Sequence, residues 1–287
     1  MDAIWTTLFA LPVIVAFVYF SWGPIIQGVV FSFQRNNFVA DAVWVGLDNF
    51  EYVLGDERLG RAVMNTLYFA GLAFVFGFPL PLFFAVFVAE ARRRRWLFSV
   101  LAYLPVIVPP VAGVLLWEAF FYRDSSGLFN AVLGLVGIGP IGWLNNPDLA
   151  MPSIVLYATW ATAGGTAIIY LAALTGVRAD LYEAAELDGA SIWARVWHVT
   201  LPQIRGVILI LLLLQLIGTL QLFTEPFLFT SGGPNNATVT ILLLIYRYAF
   251  ESRDFGAASA LSVLLAVALG IFSILYYYAT RRWNTGE

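Results

Sequence analysis

Three residue types that often carry catalysis or hold metal ions, histidine, cysteine and lysine, are nearly absent from this chain. His198 is the only histidine and there is no cysteine, so one chain cannot supply a two-histidine metal site, a thiolate site or a histidine triad. There is also no lysine, which excludes the lysine of a phosphate-binding G-x-x-x-x-G-K-S/T loop. The sequence therefore indicates a protein without catalytic machinery, a metal site or a cofactor of its own.

Two carboxylates near the ends of apolar stretches, Glu118 and Glu225, are the remaining candidates for membrane chemistry. An ionised carboxylate costs about 3 kcal/mol at the bilayer centre, and carboxylates in such places are typical of proton or substrate pathways. One hypothesis is therefore a proton-coupled carrier or channel that uses one of them. An enzyme acting on lipid is less favoured, because no nucleophile or acid-base pair accompanies these carboxylates.

The composition of the chain indicates a membrane protein. The chain is 61% hydrophobic and 11% charged, whereas soluble domains are roughly a quarter charged. A membrane span needs about 20 apolar residues, and six stretches qualify. Their cores are residues 8–30, 66–89, 97–117, 152–175, 206–224 and 257–280. Prolines in the first three predict kinks or breaks. Residues 237–250 are shorter and predict a loop or interfacial helix, with a seventh span as the alternative.

Arginine positions predict the orientation of these six spans. Nine arginines fall in the segments that are cytoplasmic if the N-terminus is inside, against six in the three longer external loops. Cytoplasmic loops collect positive charge, so both termini are expected in the cytoplasm. The run Arg92 to Arg95 is interpreted as a topology anchor at a helix end, with binding of anionic lipid or nucleic acid as the alternative.

The polar loop between the fourth and fifth stretches, residues 176–205, has the local chemistry of two short helices. Asp180 followed by Glu183 predicts a capping box, and the first helix is expected to end near Leu187. Gly189 predicts a left-handed turn, and Ser191 a cap for the second helix. Pro202 predicts the boundary of the next span. Exposed apolar patches from Tyr182, Leu187, Trp193 and Trp197 would serve docking better than simple connection.

The same loop resembles the signature of permease subunits in binding-protein-dependent ABC importers. That signature is E-A-A, three residues, G, nine residues, I, one residue, L-P. The matching residues, at the family's spacing, are Glu183, Ala184, Ala185, Gly189, Val199, Leu201 and Pro202, with Val199 in place of isoleucine. The resemblance implies that this loop is a cytoplasmic coupling helix seated on a separate ATPase subunit. Glu183 would then contact that subunit, Ala184 and Ala185 would allow close approach, and Gly189 would form the turn between the two helices. Asp188, next to Gly189, is included among the coupling residues.

Further similarity over most of the chain points to the maltose-type branch of sugar importers. It includes Asn65-Thr66, taken as the opening of the second span, Gly127 to Asn130 with Trp143-Leu144, and the segment from Gln221 to Pro234. In that segment Gly232, Gly233 and Pro234 resemble an external gate loop. A sugar pathway favours aromatic and uncharged hydrogen-bonding groups. The candidates placed along the fifth span and at its end are Gln215, Thr219, Gln221, Phe223, Thr224 and Glu225.

The resemblance implies a fold and an assembly. The expected fold is an all-α membrane protein of six transmembrane helices, the MetI-like ABC importer permease fold, with residues 60–281 as the core of a single domain over 1–287. The expected partners are a second permease, two ATPase subunits that bind ATP and Mg²⁺, an extracytoplasmic sugar-binding protein and membrane lipid, without nucleic acid. The expected location is the bacterial inner membrane. The sugar stays open among mono-, di- and oligosaccharides, with glycerol phosphate derivatives as a further alternative.

Overall fold

The computed structural model describes residues 2–90 and 95–285. Within these residues the regular structure is helical apart from an antiparallel hairpin, β1 (Gln34–Arg35) and β2 (Val43–Trp44). The earlier helices are α1 (Asp2–Phe17), α2 (Gly23–Ser32), α3 (Asp48–Leu54), α4 (Glu57–Leu72) and α5 (Pro79–Glu90). The later ones are α6 (Arg95–Ile107), α7 (Pro110–Phe121), α8 (Leu128–Gly134), α9 (Pro147–Thr175), α10 (Ala179–Leu187), α11 (Ile192–Arg195), α12 (Leu201–Gln203), α13 (Arg205–Leu220), α14 (Thr224–Thr230), α15 (Ile241–Tyr246) and α16 (Phe255–Thr285). Residues 92–94 of the proposed arginine anchor lie outside the described residues, and Arg95 is the first residue of α6.

Apolar helices long enough to cross a bilayer follow the predicted stretches. Four continuous helices qualify, at Thr7–Ser32, Glu57–Ala89, Pro147–Thr175 and Phe255–Arg281. Two bent pairs, α6 with α7 and α11–α12 with α13, bring the candidate spans of the described residues to six if each pair is one span. Backbone groups in hydrocarbon must be satisfied within the segment, which is why each run is helical. The prediction of a helical membrane protein is confirmed.

Three prolines in these helices are each preceded by a widened helical turn. The π-helical turns Val18–Trp22, Ala73–Gly77 and Val196–Thr200 end two residues before Pro24, Pro79 and Pro202. In the second of them the N–H of Phe78 donates to the carbonyl of Ala73, five positions back, at 2.9 Å. A proline lacks an N–H and its ring clashes with the carbonyl four positions back, so the wider turn relieves that conflict. The first two proline-containing spans therefore stay continuous rather than broken.

The third predicted span is broken, as its prolines predicted. The axes of α6 and α7 differ by 100°. Pro109 has φ −56° and ψ 137°, the extended conformation imposed on a residue that precedes proline, and α7 starts at Pro110. A second bend, of 76°, separates the helical segment Ile192–Gln203 from α13 at Ile204. The third predicted stretch is thus a pair of helices joined by a sharp bend, and the fifth begins at such a bend.

The described residues form two compact units. The first combines the chain up to Gly60 with Leu244–Ile271, and the second combines Arg61–Leu243 with the chain from Phe272 onward. The main core of the second unit surrounds Trp117, which is 6% exposed. Five rings lie with centroids 5.3 to 5.9 Å from it: Phe120, Phe121, Phe129, Tyr157 and Trp160. This aromatic cluster packs α7 and α8 against α9. The single permease domain with a core at 60–281 stays a prediction.

An ion-paired cluster in the first unit fixes the start of α4. A nitrogen of the Arg58 guanidinium lies 2.7 Å from a carboxylate oxygen of Asp56, and the buried hydroxyl of Tyr248 donates to the same carboxylate. The hydrogen bond from Arg58, supported by that from Tyr248, holds the pKa of Asp56 well below its usual range against the opposing effect of burial. Asp56 is therefore ionised at neutral pH and ties the start of α4 to the π-helical turn Arg247–Glu251.

Two predicted boundaries require correction or refinement. The second span does not open at Asn65-Thr66, because α4 begins at Glu57 and buries both residues two turns inside the helix. The segment predicted as a loop helix contains α15 and the turn through Glu251, eleven residues in all. At 1.5 Å per residue it reaches about 16 Å, roughly half the hydrocarbon thickness, and it is not among the candidate spans of the described residues. The structure therefore agrees with the loop helix rather than a seventh span.

Candidate coupling and translocation sites

The first helix of the polar loop, α10, ends in a Schellman turn built around Gly189. The N–H of Gly189 donates to the carbonyl of Glu186 at 3.0 Å, and the N–H of Ala190 donates to that of Ala185 at 2.9 Å. Gly189 has φ +72°, which a residue with a side chain adopts only with strain, while the space around its Cα is open. The glycine is therefore required for backbone conformation and not for close packing.

The caps of the two loop helices agree only in part with the sequence. Ser191 caps α11, because its hydroxyl accepts the N–H of Ala194 at 3.3 Å. The predicted capping box at Asp180 is wrong, since the N-cap position of α10 is Arg178 and Asp180 lies in the first turn. The Asp180 carboxylate instead pairs with the guanidinium of Arg178. A carboxylate in the first turn still favours the helix through its dipole.

The exposed face of α10 combines small residues with carboxylates. Glu183, Ala184, Leu187 and Asp188 are exposed, and the side chain of Leu187 is 89% exposed. Positions three and four apart on a helix share one surface; Glu183 lies four positions before Leu187, and Ala184 four before Asp188, so these residues form a single patch. The two carboxylates make the patch unsuited to hydrocarbon, and the exposed Leu187 beside them offers a partner protein an apolar contact. The patch has the chemistry of a protein docking face, which we call the α10 face.

The remaining signature residues give the loop its shape. Val199 and Leu201 are half-buried, and Pro202 follows the π-helical turn described above. Thr200 is buried, and its hydroxyl lies 3.1 Å from the hydroxyl of Tyr182, which connects the second helical segment to α10. The signature therefore divides into positions that can touch a partner and positions that hold the two helices together. Their roles in coupling stay predictions.

The candidate pathway residues do not lie on one helix. The fifth span was expected to continue to residue 224, but α13 ends at Leu220 and α14 starts at Thr224. Only Gln215 and Thr219 are on α13; the others, Gln221, Phe223, Thr224 and Glu225, lie in the following turn and in the first turn of α14. The turn releases the chain from the helix because Gln221 adopts φ −106° and ψ 24°.

Two of these candidates use their polar groups within the chain. The amide of Gln215 donates to the carbonyl of Ala73 at 2.9 Å, at the start of the π-helical turn in the second span. The hydroxyl of Thr219 donates to the carbonyl of Leu216 at 2.8 Å. Phe223 stacks on Phe227 with centroids 5.2 Å apart. Gln215 thus fits a structural role, and the exposed Gln221 is the better placed polar candidate for contact with a substrate.

The loop that contains Gly232, Gly233 and Pro234 is held by buried hydroxyls and by α4. The hydroxyl of Thr238 donates to the carbonyl of Gly233 at 2.8 Å, and that of Thr240 donates to the carbonyl of Leu222 at 2.7 Å. Both threonines are fully buried. We call residues 231–240 the gate loop. Its shape is fixed from within, and its role as an external gate stays a prediction.

Asn65 is the residue of α4 that anchors the gate loop. Its amide nitrogen donates to the carbonyl of Asn236 at 2.8 Å and to that of Val239 at 2.9 Å. The neighbouring Thr66 accepts the N–H of Ile241 at 3.1 Å. Sequence reasoning singled out Asn65-Thr66 as part of the family resemblance but missed this anchoring role. The signal was available, because a buried asparagine inside an apolar helix needs hydrogen-bond partners.

Replacing Asn65 with aspartate is expected to release the gate loop while preserving side-chain size. The variant cannot donate either hydrogen bond and directs a carboxylate at two carbonyl oxygens, a loss of about 2–3 kcal/mol. Hydrogen-exchange mass spectrometry should show faster exchange in residues 232–241. Asn37→Asp is the matched control, because the exposed side chain of Asn37 only accepts hydrogen bonds, from the N–H groups of Val39 and Ala40. Equal exchange in both variants would contradict the anchoring role.

These features define a class of protein: a multi-pass membrane protein with an exposed helical docking face between two spans. Residues 77–285 match the family described as "Binding-protein-dependent transport system inner membrane component". This match covers most of the chain, and the chain therefore belongs to that family. The resemblance inferred from residues 183–202 is confirmed, and the protein is a multi-pass inner-membrane protein.

Relatives with assigned transport roles match along nearly the whole chain. The trehalose/maltose transport system permease protein MalF of Thermococcus litoralis is 32% identical over 94% of this chain and 91% of its own length. The lactose transport system permease protein LacF of Rhizobium radiobacter is 33% identical over 96% of this chain and 93% of its own. The predicted similarity to sugar-importer permeases is confirmed.

Solved structures support the same fold. A chain of a bacterial ABC transporter that imports the acidic polysaccharide alginate superimposes with a TM-score of 0.86 at 29% identity, covering 98% of this chain and 95% of that one. A second structure of an alginate transporter, in complex with an alginate pentasaccharide-bound periplasmic protein, gives 0.85 at 28% identity, with 98% and 94% covered. The predicted importer permease fold is confirmed.

Proposed function

We propose that this chain is the translocation subunit of an ATP-driven sugar importer and that the α10 face docks on a separate ATPase subunit. The observation that carries the proposal is the exposed patch of Glu183, Ala184, Leu187 and Asp188, held rigid by the Gly189 turn. Its carboxylates keep this patch out of lipid, and its exposed small and apolar residues suit contact with a protein partner. Family membership makes an ABC ATPase that partner. ATP and Mg²⁺ are bound there and not by this chain.

The proposed assembly has two permeases, two ATPases and an extracytoplasmic binding protein. ATP brings the ATPase pair together, and the docked α10 faces transmit that movement to the spans. Because α11–α12 connects α10 to α13 through rigid helical turns, a displacement of α10 moves the fifth span with it. The gate loop and the turn at Gln221 then open to one side of the membrane at a time. Import follows because substrate enters only from the binding protein.

A neutral sugar is the proposed substrate. The named relatives carry trehalose, maltose and lactose, which supports a carbohydrate as the class. An anionic substrate would favour arginine in the pathway, and the sequence has none in residues 65–89, 147–175 or 206–224. Gln221, Phe223, Thr224 and Glu225 offer the aromatic and hydrogen-bonding groups that a hydroxyl-rich ligand requires.

The proposed orientation places both termini and residues 176–205 in the cytoplasm. The arginine distribution supports it, and so does the α10 face, because ATP is a cytoplasmic fuel. The gate loop then lies on the external side, where a binding protein delivers substrate. Residues 1–287 act as one permease domain in this proposal.

Gly189 variants test whether the turn positions the α10 face for docking. Gly189→Val adds a branched side chain at φ +72°, with a strain of about 1–2 kcal/mol that distorts the turn. The expected result is loss of a phosphate-loop ATPase from the complex purified gently from native membrane and identified by mass spectrometry.

Gly189→Asn is the matched control for this experiment. Asparagine tolerates the left-handed conformation, and open space surrounds the position, so the ATPase should be retained. Recovery of the ATPase with both variants would contradict the role of the turn. Failure to recover any ATPase with the unaltered chain would contradict the proposed function itself.

A further inference from the structure

The second helical segment of the polar loop, Ile192–Gln203, lies across the direction of the fifth span. It meets α13 at an angle of 76°. Membrane helices run within a few tens of degrees of the bilayer normal. A segment at this angle to α13 therefore runs close to the membrane plane. We call it the transverse segment.

The exposed surface of the transverse segment is mainly aromatic and apolar, and its exposed polar residues are His198 and Gln203. Ile192, Trp193 and Trp197 are 54%, 63% and 62% exposed, and the two tryptophans are one helical turn apart. Val196 and Thr200, in the same segment, are buried. The side chain of Arg195 is only 11% exposed and is paired with Glu186. The exposed surface thus contrasts with the α10 face, which carries carboxylates.

A contact with the second span places this surface at the level of the bilayer. The ring of Trp193 lies 6.4 Å, centroid to centroid, from the ring of Phe83 on α5. Phe83 is 51% exposed and lies within the membrane-spanning helix Glu57–Ala89. Trp193 therefore extends the exposed apolar surface of a membrane-spanning helix. Tryptophan is enriched at this level of membrane proteins, because its ring combines an apolar body with a polar N–H.

We propose that Trp193 and Trp197 bind the interfacial region of the lipid bilayer, so that the transverse segment is a membrane anchor for the coupling loop. Only the α10 face is then left to contact the ATPase. The anchor holds the transverse segment at a fixed depth in the bilayer. Movement of α10 is therefore transmitted to α13, because the loop cannot shift as a whole relative to the membrane. This interfacial site depends on the chain being a membrane protein and not on the proposed ATPase coupling.

Spin labels on single cysteines test the proposal, and the natural absence of cysteine makes them specific. Trp193→Cys, Trp197→Cys and Ile192→Cys would be labelled in lipid nanodiscs, with and without the co-purified partner subunits. Ile192→Cys retains both tryptophans, so it reports on the site even if the other variants fold poorly. Phe83→Cys provides the lipid reference and Asn37→Cys the aqueous reference. Accessibility to oxygen and to a water-soluble nickel chelate would be measured by paramagnetic resonance.

Labels at positions 192, 193 and 197 are expected to be accessible to oxygen and shielded from the nickel chelate, with values close to those of the lipid reference at position 83. Removal of the partner subunits should leave these values unchanged. Nickel accessibility that appears on removal of the partners would assign these side chains to the ATPase and overturn the proposal. Nickel accessibility in both preparations would assign them to water and overturn it equally. A label at Leu187→Cys separates the two hypotheses. If that label is unaffected by the partners, ATPase docking on α10 fails while the lipid site stands.

Discussion

Reversing the charge of Glu183 is expected to separate this chain from its ATPase and abolish uptake. Glu183 is exposed at the centre of the α10 face, and the described structure gives it no hydrogen bond within the chain. Glu183→Arg should therefore leave the folding of the permease unchanged. A misplaced charge in a docked interface costs about 3 kcal/mol, which is on the order of 100-fold in affinity. The variant should lose both co-purified ATPase and sugar-stimulated ATP hydrolysis.

The matched control is Asp41→Arg, which makes the same charge change at an exposed position outside the loop. It should retain both the ATPase and uptake, and both variants should be present in the membrane in normal amounts. If Glu183→Arg kept its ATPase and its uptake, the α10 face would not be the docking site. Reduced membrane levels of this variant alone would mean that Glu183 has a folding role.

A methyl group at Gly164 is expected to disrupt the packing of α6 on α9. A Cβ atom there would overlap the carbonyl oxygen of Ala102 and lie 2.6 Å from its carbonyl carbon. The atoms that this Cβ would meet belong to the backbone of α6, so no side-chain rotation removes the overlap. Small residues let membrane helices approach this closely, and overpacking costs roughly 3 kcal/mol. Gly164→Ala should lower the thermal unfolding midpoint of the purified protein and its amount in the membrane.

The adjacent glycine provides a matched control for this prediction. At Gly165 a Cβ atom would meet only the side chain of Val106, at 3.7 Å. Gly165→Ala should stay within about 1 kcal/mol of the original stability, because alanine is the better helix former. Equal midpoints for the two alanine variants would contradict the close approach of α6 and α9.

Much of the fold was predictable because apolar run length reports membrane spans directly. The stretches at 152–175 and 257–280 fall within α9 and α16, since hydrocarbon requires every backbone group to be bonded within the helix. The αL turn at Gly189 and the cap at Ser191 were also predictable, because each depends on a single residue and its near neighbours. Local chemistry of this kind is readable without the tertiary structure.

The features that were missed depend on contacts between distant segments. The prolines predicted a break in the third span, but the 100° angle reflects how α6 and α7 each pack on α9. The end of α13 at Leu220 is not followed directly by a glycine or proline, and Gly218 lies inside the last turn of the helix. Asn65 meets its partners more than 170 residues further along the chain. The capping box at Asp180 failed because the helix starts two residues earlier than that motif requires.

Under the proposed function, the exposed and the half-buried residues of the coupling signature have different roles. Glu183 and Ala184 lie on the surface offered to the ATPase, while Val199 and Leu201 are half-buried in the transverse segment. Substitutions in the first group are expected to weaken docking without altering the fold. Substitutions in the second group are expected to leave docking affinity intact and reduce the uptake obtained per ATP hydrolysed.

The energy source of transport distinguishes ATP-driven import from proton-coupled transport most directly. The complex purified from native membrane would be reconstituted into liposomes with the sugar-loaded binding protein. If import is driven by ATP, uptake should require ATP on the side of residues 176–205, persist when a protonophore collapses the pH gradient, and be absent in Glu183→Arg. Uptake by this chain alone, driven by a proton gradient and lost in Glu118→Gln or Glu225→Gln, would contradict ATP-driven import.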